Sequence, residues 1–281
     1  DQLRSNSWML MTGSLGMLAA TLPVQWLMPI WGWRALFVML GIMIALTMVL
    51  IFMVVPLWRT TSTNEDPAAK VIQDDGSYRE IWRSAYFWRM TPIGFFSYGG
   101  MVAIQTLWAG PWMTQVAGWT PTEAAKGLFL INLCMLVTFW LWGLMSPGLA
   151  RRGIPVERLI AWGLPMSFVV IASLAWMGPS IGTGAAVGVA LLCVSSTVVA
   201  LAQPAVGMAF PPHLAGRALS AYNLVVFAGI FVVQWGIGLM FDACLGMCLQ
   251  KPAAYQLALA CFGVCSGLSW LYFLLKRPIQ A

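Results

Sequence analysis

Between Tyr86 and Val116 the sequence places Tyr98, Gln105, Thr106 and Trp108 in a stretch that is otherwise apolar and dense in glycine and proline. Amide, hydroxyl, phenol and indole groups exchange hydrogen bonds without carrying charge, which suits holding a neutral partner rather than breaking a bond. Gln105 and Trp108 lie three residues apart and Tyr98 seven before Gln105, so an α-helix is expected to bring all three to one stripe. Pro92, Gly94, Gly99, Gly100, Gly110 and Pro111 predict bends in that helix. Asn132 with Trp140 eight residues on, and Asn223 with Gln234 eleven residues on, form two further pairs at near-helical spacing. Each group has two readings. It either faces a cavity or bonds a neighbouring helix, with Trp108 and Trp112 in an aromatic belt at the membrane surface. For Asn223, near one edge of its segment, a helix-to-helix or capping role is the expectation.

Such groups are scarce here. Of 281 residues 60% are hydrophobic and only 9% charged, with mean hydropathy +0.81, against about a quarter charged in soluble domains. The apolar residues come in long unbroken runs, and a bilayer crossing needs about 20 of them. Eight segments qualify: Trp8 to Pro29, Arg34 to Trp58, Tyr86 to Val116, Glu123 to Pro147, Arg158 to Met177, Gly184 to Phe210, Leu219 to Phe241, and Ala254 to Leu275. The expected fold is all-α, a polytopic membrane helix bundle. Short turn-rich breaks imply antiparallel neighbours. The one long polar connection, Arg59 to Arg83 ("RTTSTNEDPAAKVIQDDGSYREIWR"), reads as a loop between two bundles, with Tyr78 to Trp82 a helix on the surface. Residues 1–58, 59–85 and 86–281 are therefore expected as two helices of a first bundle, an inter-bundle loop and a second bundle.

The composition also excludes. A net charge of +6 and a pI near 9.2 could suggest nucleic acid, but the basic residues stand scattered between apolar runs, so no nucleic-acid partner is expected. Four of the six cysteines fall inside apolar runs, and the chain has one histidine. No disulfide framework, metal site or cofactor is expected, although Cys244 and Cys248 share a short loop and could pair on an oxidising side. No nucleophile, paired acid or ligand cluster at mid-membrane suggests an enzyme. The sequence opens on Asp1 without the pattern of a signal peptide, and reads as a piece of a longer protein.

Assigning loops alternately to two sides puts twelve of the fifteen Lys and Arg on one side, leaving Arg34, Lys126 and Lys251 on the other. Basic loops are cytoplasmic, so both ends of the chain are expected to face the cytosol, in a bacterial-type inner membrane.

Three motifs carry a resemblance. In "GLMSPGLARRG", Gly143, Met145, Ser146 and the pair Arg151-Arg152 follow the pattern G-x-L-A-D-R-x-G-R-K that the major facilitator superfamily carries between its second and third helices and, more weakly, between its eighth and ninth. Pro147, Gly148 and Ala150 depart from it. "GWRALF", with Gly32, Trp33, Arg34 and Phe37, is similar to that family's link between helices five and six. "PPHLAGRALSAYNLVVFAGIFVVQWGIG" resembles its passage into helix eleven, with Gly216, Arg217, Ala218 and Asn223 at the signature positions. The resemblance implies an MFS-type fold in which these spans are helices five to twelve, a complete C-terminal six-helix bundle beside an incomplete N-terminal one. It also implies a permease that moves a small organic solute by alternating access, efflux favoured over uptake. The cavity candidates are then Tyr98, Gln105, Trp108, Asn132, Trp140 and Gln234. The motif and gating candidates are Arg34, Gly143, Arg151, Arg152, Gly216, Arg217 and Asn223.

No Asp, Glu, Lys, Arg or His lies at mid-depth in any of the eight segments. A coupling proton would need such a group, so it is expected on helices outside this chain, and aromatic and amide walls suit neutral or moderately apolar solutes. The alternative is a non-transporting membrane scaffold, or a truncated and inactive permease. The orientation is directly testable. In a protein stripped of native thiols, a membrane-impermeant maleimide added outside should label a cysteine at Thr120 and not one at Asp75; the opposite pattern overturns the assignment.

Overall fold

The computed structural model describes residues 13, 15–16, 18–54 and 78–276. Among the described residues the chain is helical throughout, without strands. The first of the eight expected segments therefore starts outside the described residues, as does most of the expected inter-bundle loop. Five stretches are long and apolar enough to cross a membrane: Pro23–Met53, Pro121–Arg151, Val156–Met208, Pro212–Gly246 and Lys251–Leu275.

Helix α1, Leu22–Val54, is two arms meeting at Gly32, whose φ of 72° and ψ of 161° suit a residue without a Cβ. This is the link read from "GWRALF". The arm is apolar on every side; Trp26, Phe37 and Phe52 are all exposed, and its packing is against α4. Helix α2, Tyr78–Arg83, lies on the surface and is anchored there by Ile81, which is wholly buried in a core shared with Phe87 and Tyr222.

Helix α3 spans residues 85–115. The Ser84 hydroxyl caps its start, accepting from the Phe87 amide at 3.3 Å. After Pro92, which lacks an amide hydrogen and crowds the preceding turn, the helix widens into a π segment over Ile93–Gly99, and again over Ile104–Trp108. The bends expected from the glycine and proline density thus take the form of two wide turns, a rare geometry in helices. Helix α4, Pro121–Arg151, opens with a capping box: Glu123 accepts from the Thr120 amide at 2.8 Å, and Thr120 accepts from the Glu123 amide at 3.3 Å. It closes at Gly153, φ +74°, where the Ile154 amide reaches back to the Leu149 carbonyl at 3.1 Å.

Helices α5 (Val156–Met177) and α6 (residues 185–208) fold back on each other through a tight 3₁₀ link, Gly178–Gly184. Two side chains hold that link: Gln256 Nε2 donates to the Ala175 carbonyl at 2.8 Å, and Trp119 Nε1 to that of Gly182 at 3.0 Å. Helices α7 (Pro212–Gly246) and α8 (Lys251–Leu275) complete the bundle. Cys244 and Cys248 are free thiols, the first buried and the second exposed.

Two cores stack along the bundle. One, around Met113, Ile171 and Phe262, fills the half near the α3–α4 turn; the other, around Phe87, Leu164, Tyr222 and Phe273, fills the half near α2. Helix α3 runs through both. Its backbone lies against that of α7: a Cβ at Gly229 would collide with the Phe95 carbonyl, and one at Gly99 would sit 2.9 Å from the Val226 carbonyl. At one end of this crossing Arg89 Nε donates to the Phe273 carbonyl at 2.9 Å, with its guanidinium 4.4 Å above the Phe273 ring. Tyr86 donates to Glu157 at 2.7 Å, tying α3 to the start of α5. Halfway along, the buried hydroxyls of Ser97, Ser266 and Ser269 form a cluster between α3 and α8, with Ser97 2.8 Å from Ser266 and 3.3 Å from Ser269.

These glycines separate into those that set packing and those that do not. Gly229→Ala should destabilise the protein by about 1–3 kcal/mol, the usual range for overpacking. Gly236→Ala, whose Cβ would meet nothing within 4 Å, should be neutral or stabilising through helix propensity. Thermal unfolding in detergent reads both. Equal effects would show that the α3–α7 approach is not set by glycine.

Candidate functional site

The second π segment decides where the polar groups of α3 point. Gln105 is buried and donates through Nε2 to Asn132 Oδ1 of α4 at 2.7 Å, while Asn132 Nδ2 donates to the Leu128 carbonyl at 2.8 Å. The next residue, Thr106, is exposed on the other side and accepts from Gln234 Nε2 of α7 at 3.1 Å. Trp108 Nε1 donates to the Gln234 carbonyl at 3.2 Å, and its ring meets Tyr255 at 5.9 Å and Phe241 at 6.4 Å. Two consecutive side chains of one helix thus reach two different neighbours, one bond inside the bundle and one on its open face.

The single stripe expected for Tyr98, Gln105 and Trp108 is therefore not what the backbone makes. Tyr98 is half-buried between the two cores, Gln105 turns toward α4, and Trp108 toward α7 and α8. The π segments Ile93–Gly99 and Ile104–Trp108 occupy the two ends of 98–108, and a π turn holds more residues than the 3.6 on which the spacing argument rested. Trp140 likewise parts from Asn132. Eight residues overshoot two full turns by about 80° at 3.6 residues per turn, so Asn132 is buried while Trp140 is 47% exposed. Asn223 and Gln234 do share a side of α7, Asn223 exposed and Gln234 half-exposed.

The motif residues lie at helix ends. Arg151 and Arg152 are exposed at the close of α4, which continues helically through Pro147, and Gly143 is half-buried a little over two turns earlier. Gly216 is exposed and Arg217 half-exposed at the start of α7. Arg34 is exposed beside the Gly32 break, its guanidinium 4.9 Å from the Trp33 ring centre.

Three hollows border these elements. One of about 30 Å³, walled by Trp108, Trp112, Tyr255 and aliphatic neighbours, has room for a water-sized guest. A cleft of about 570 Å³ beside the α3–α4 turn carries Trp119, Glu123, Lys126 and Thr183. A third, of about 220 Å³, is an apolar groove between α7 and α8. None of the three is lined by Tyr98, Gln105 or Asn132. Sequence reading missed the Ser97–Ser266–Ser269 cluster and the Gln256 anchor; Ser266 and Ser269 stand three apart in an apolar run, which was the available signal.

With this geometry in place, the comparison with known families is decisive. The family profile described as Major Facilitator Superfamily matches residues 1–234, most of the chain. The chain belongs to the major facilitator superfamily. A search of curated proteins finds no match. As a member of that superfamily the protein is a multi-pass membrane transporter. It works in a lipid environment on a small solute, in a family that is not generally one of enzymes.

The Gln105–Asn132 bond invites a double-mutant cycle. Gln105→Leu or Asn132→Leu alone leaves a buried partner short of a hydrogen bond and should cost about 1–3 kcal/mol. The double Leu variant should recover part of that loss, because an apolar pair of similar size needs no partner. Additive losses in thermal unfolding would show that the two amides act independently.

Proposed function

We propose that the protein is a secondary transporter of a neutral, aromatic or moderately apolar organic solute, working by alternating access in a cytoplasmic membrane with both chain ends in the cytosol. The observation that carries this reading is the Thr106–Gln234 hydrogen bond on the open face of α3 and α7. A polar pair exposed at membrane depth is costly against lipid, so it belongs on a wall that meets water and solute. Beside it the same face of α7 presents Phe227, Phe231 and Trp235, with the last two rings stacked at 6.4 Å. Amide and hydroxyl next to aromatic rings make a surface for a flat, uncharged molecule. Trp108, held to the Gln234 carbonyl, positions Gln234. Gln105 and Asn132 act by fixing α3 to α4, and Tyr98 by spanning the two cores. The described spans offer no Asp, Glu, Lys, Arg or His at mid-depth, which favours uncharged compounds, with efflux preferred over uptake and any coupling proton or ion carried elsewhere.

A non-transporting scaffold is favoured by one observation only, that Gln105 and Asn132 are packed on each other and not presented to a hollow. Counterflow in proteoliposomes separates the two. A panel of planar aromatic solutes should exchange across vesicles containing the intact protein, and Gln234→Ala or Thr106→Val should raise KM several-fold with little change in protein yield. Absence of counterflow for every solute would favour the scaffold. Unchanged KM in both variants would remove this face from the pathway.

A further inference from the structure

We propose that the groove between α7 and α8 seats one acyl chain of a bilayer phospholipid. Its volume is about 220 Å³, and its walls are Phe96 of α3, Val232, Gly236 and Met240 of α7, and Cys261 and Cys265 of α8. The groove is open on one side beside a close-packed core, so it is filled by whatever surrounds the protein. Water is a poor occupant, because it needs two to four polar partners; an apolar cavity of roughly 150 Å³ stays dry and takes a hydrocarbon guest instead. The position supplies the guest. Both walls belong to stretches apolar and long enough to cross a membrane, and the groove lies in the second half of α7 and near the middle of α8, at the depth of acyl chains. Val232, on its rim, is 43% exposed, so the groove is open to the side.

Gly236 makes the notch. A Cβ built there meets nothing within 4 Å, so the missing side chain leaves open space where a larger residue would have covered it. What holds the chain is close packing against Phe96, Met240 and the two half-buried thiols. No hydrophobic effect operates between apolar surfaces already in lipid, and van der Waals fit decides. The site is independent of the transported solute and rests only on the protein spanning a membrane.

Photo-labelling tests this. The intact protein is reconstituted in phosphatidylethanolamine–phosphatidylglycerol vesicles with a trace of phospholipid bearing a mid-chain diazirine, irradiated, and its adducts mapped. Stretches 232–240 and 258–265 should carry several-fold more label than the exposed apolar face of α5 around Trp162 and Val169. Gly236→Leu should lower the groove label several-fold and leave α5 unchanged, and Cys265→Phe, filling the space from the opposite wall, should do the same. Equal labelling of groove and α5 would mean ordinary contact with surrounding lipid, and an unlabelled groove would mean that protein covers it. Either result overturns the proposal, and the wild-type map decides even if both variants fail to fold.

Discussion

The bundle depends on how closely α3 can approach α7. At Gly99 and Gly229 the two helices touch through backbone atoms, with no side chain between them. In a hydrocarbon solvent there is no hydrophobic effect to draw helices together, and contact of this kind is what replaces it. Other features follow from that proximity. Tyr222 can reach the Met90 carbonyl at 3.3 Å across the space left by Gly94. Thr106 and Gln234 come within hydrogen-bonding distance further along the same crossing.

The hydrogen bonds between helices share a second economy. Most pair one side-chain donor with a backbone carbonyl of a neighbour: Trp108 with Gln234, Trp119 with Gly182, Trp270 with Ala161, Gln256 with Ala175. Carbonyls keep a second lone pair after the helix ladder is made, so each can take one more donor without losing its own bond. Indoles supply a single donor and a large apolar body, which explains how a chain with 16 tryptophans can tie helices together while adding almost no charge.

The helical class, the family, the break at Gly32 and the caps around Thr120 and Gly153 concern features that write themselves locally, in apolar runs, short motifs and turn residues, and the first three are legible in the sequence alone. The pairing of polar groups was readable only in part. Gln105 and Asn132 could be named as polar residues at depth, but not as partners, since nothing in the spacing tells which helix faces which. The stripe through Tyr98, Gln105 and Trp108 failed for a sharper reason. Periodicity arguments assume one residue count per turn, and a helix that is in π geometry at both ends of 98–108 changes that count without any residue type that announces it. Glycine and proline marked the region as irregular; they did not say which irregularity. Trp140 is a simpler case, in which eight residues were treated as a whole number of turns.

Arg89 has a consequence for movement. Its side chain donates to the Phe273 carbonyl and covers the Phe273 ring, near the last turn of α8, where unsatisfied carbonyls carry partial negative charge. A guanidinium resists being drawn into hydrocarbon, so this clasp fixes one waterline for both helices. If α3 tilts during a transport cycle, α8 must rise and fall with it, as two oars in the same rowlock.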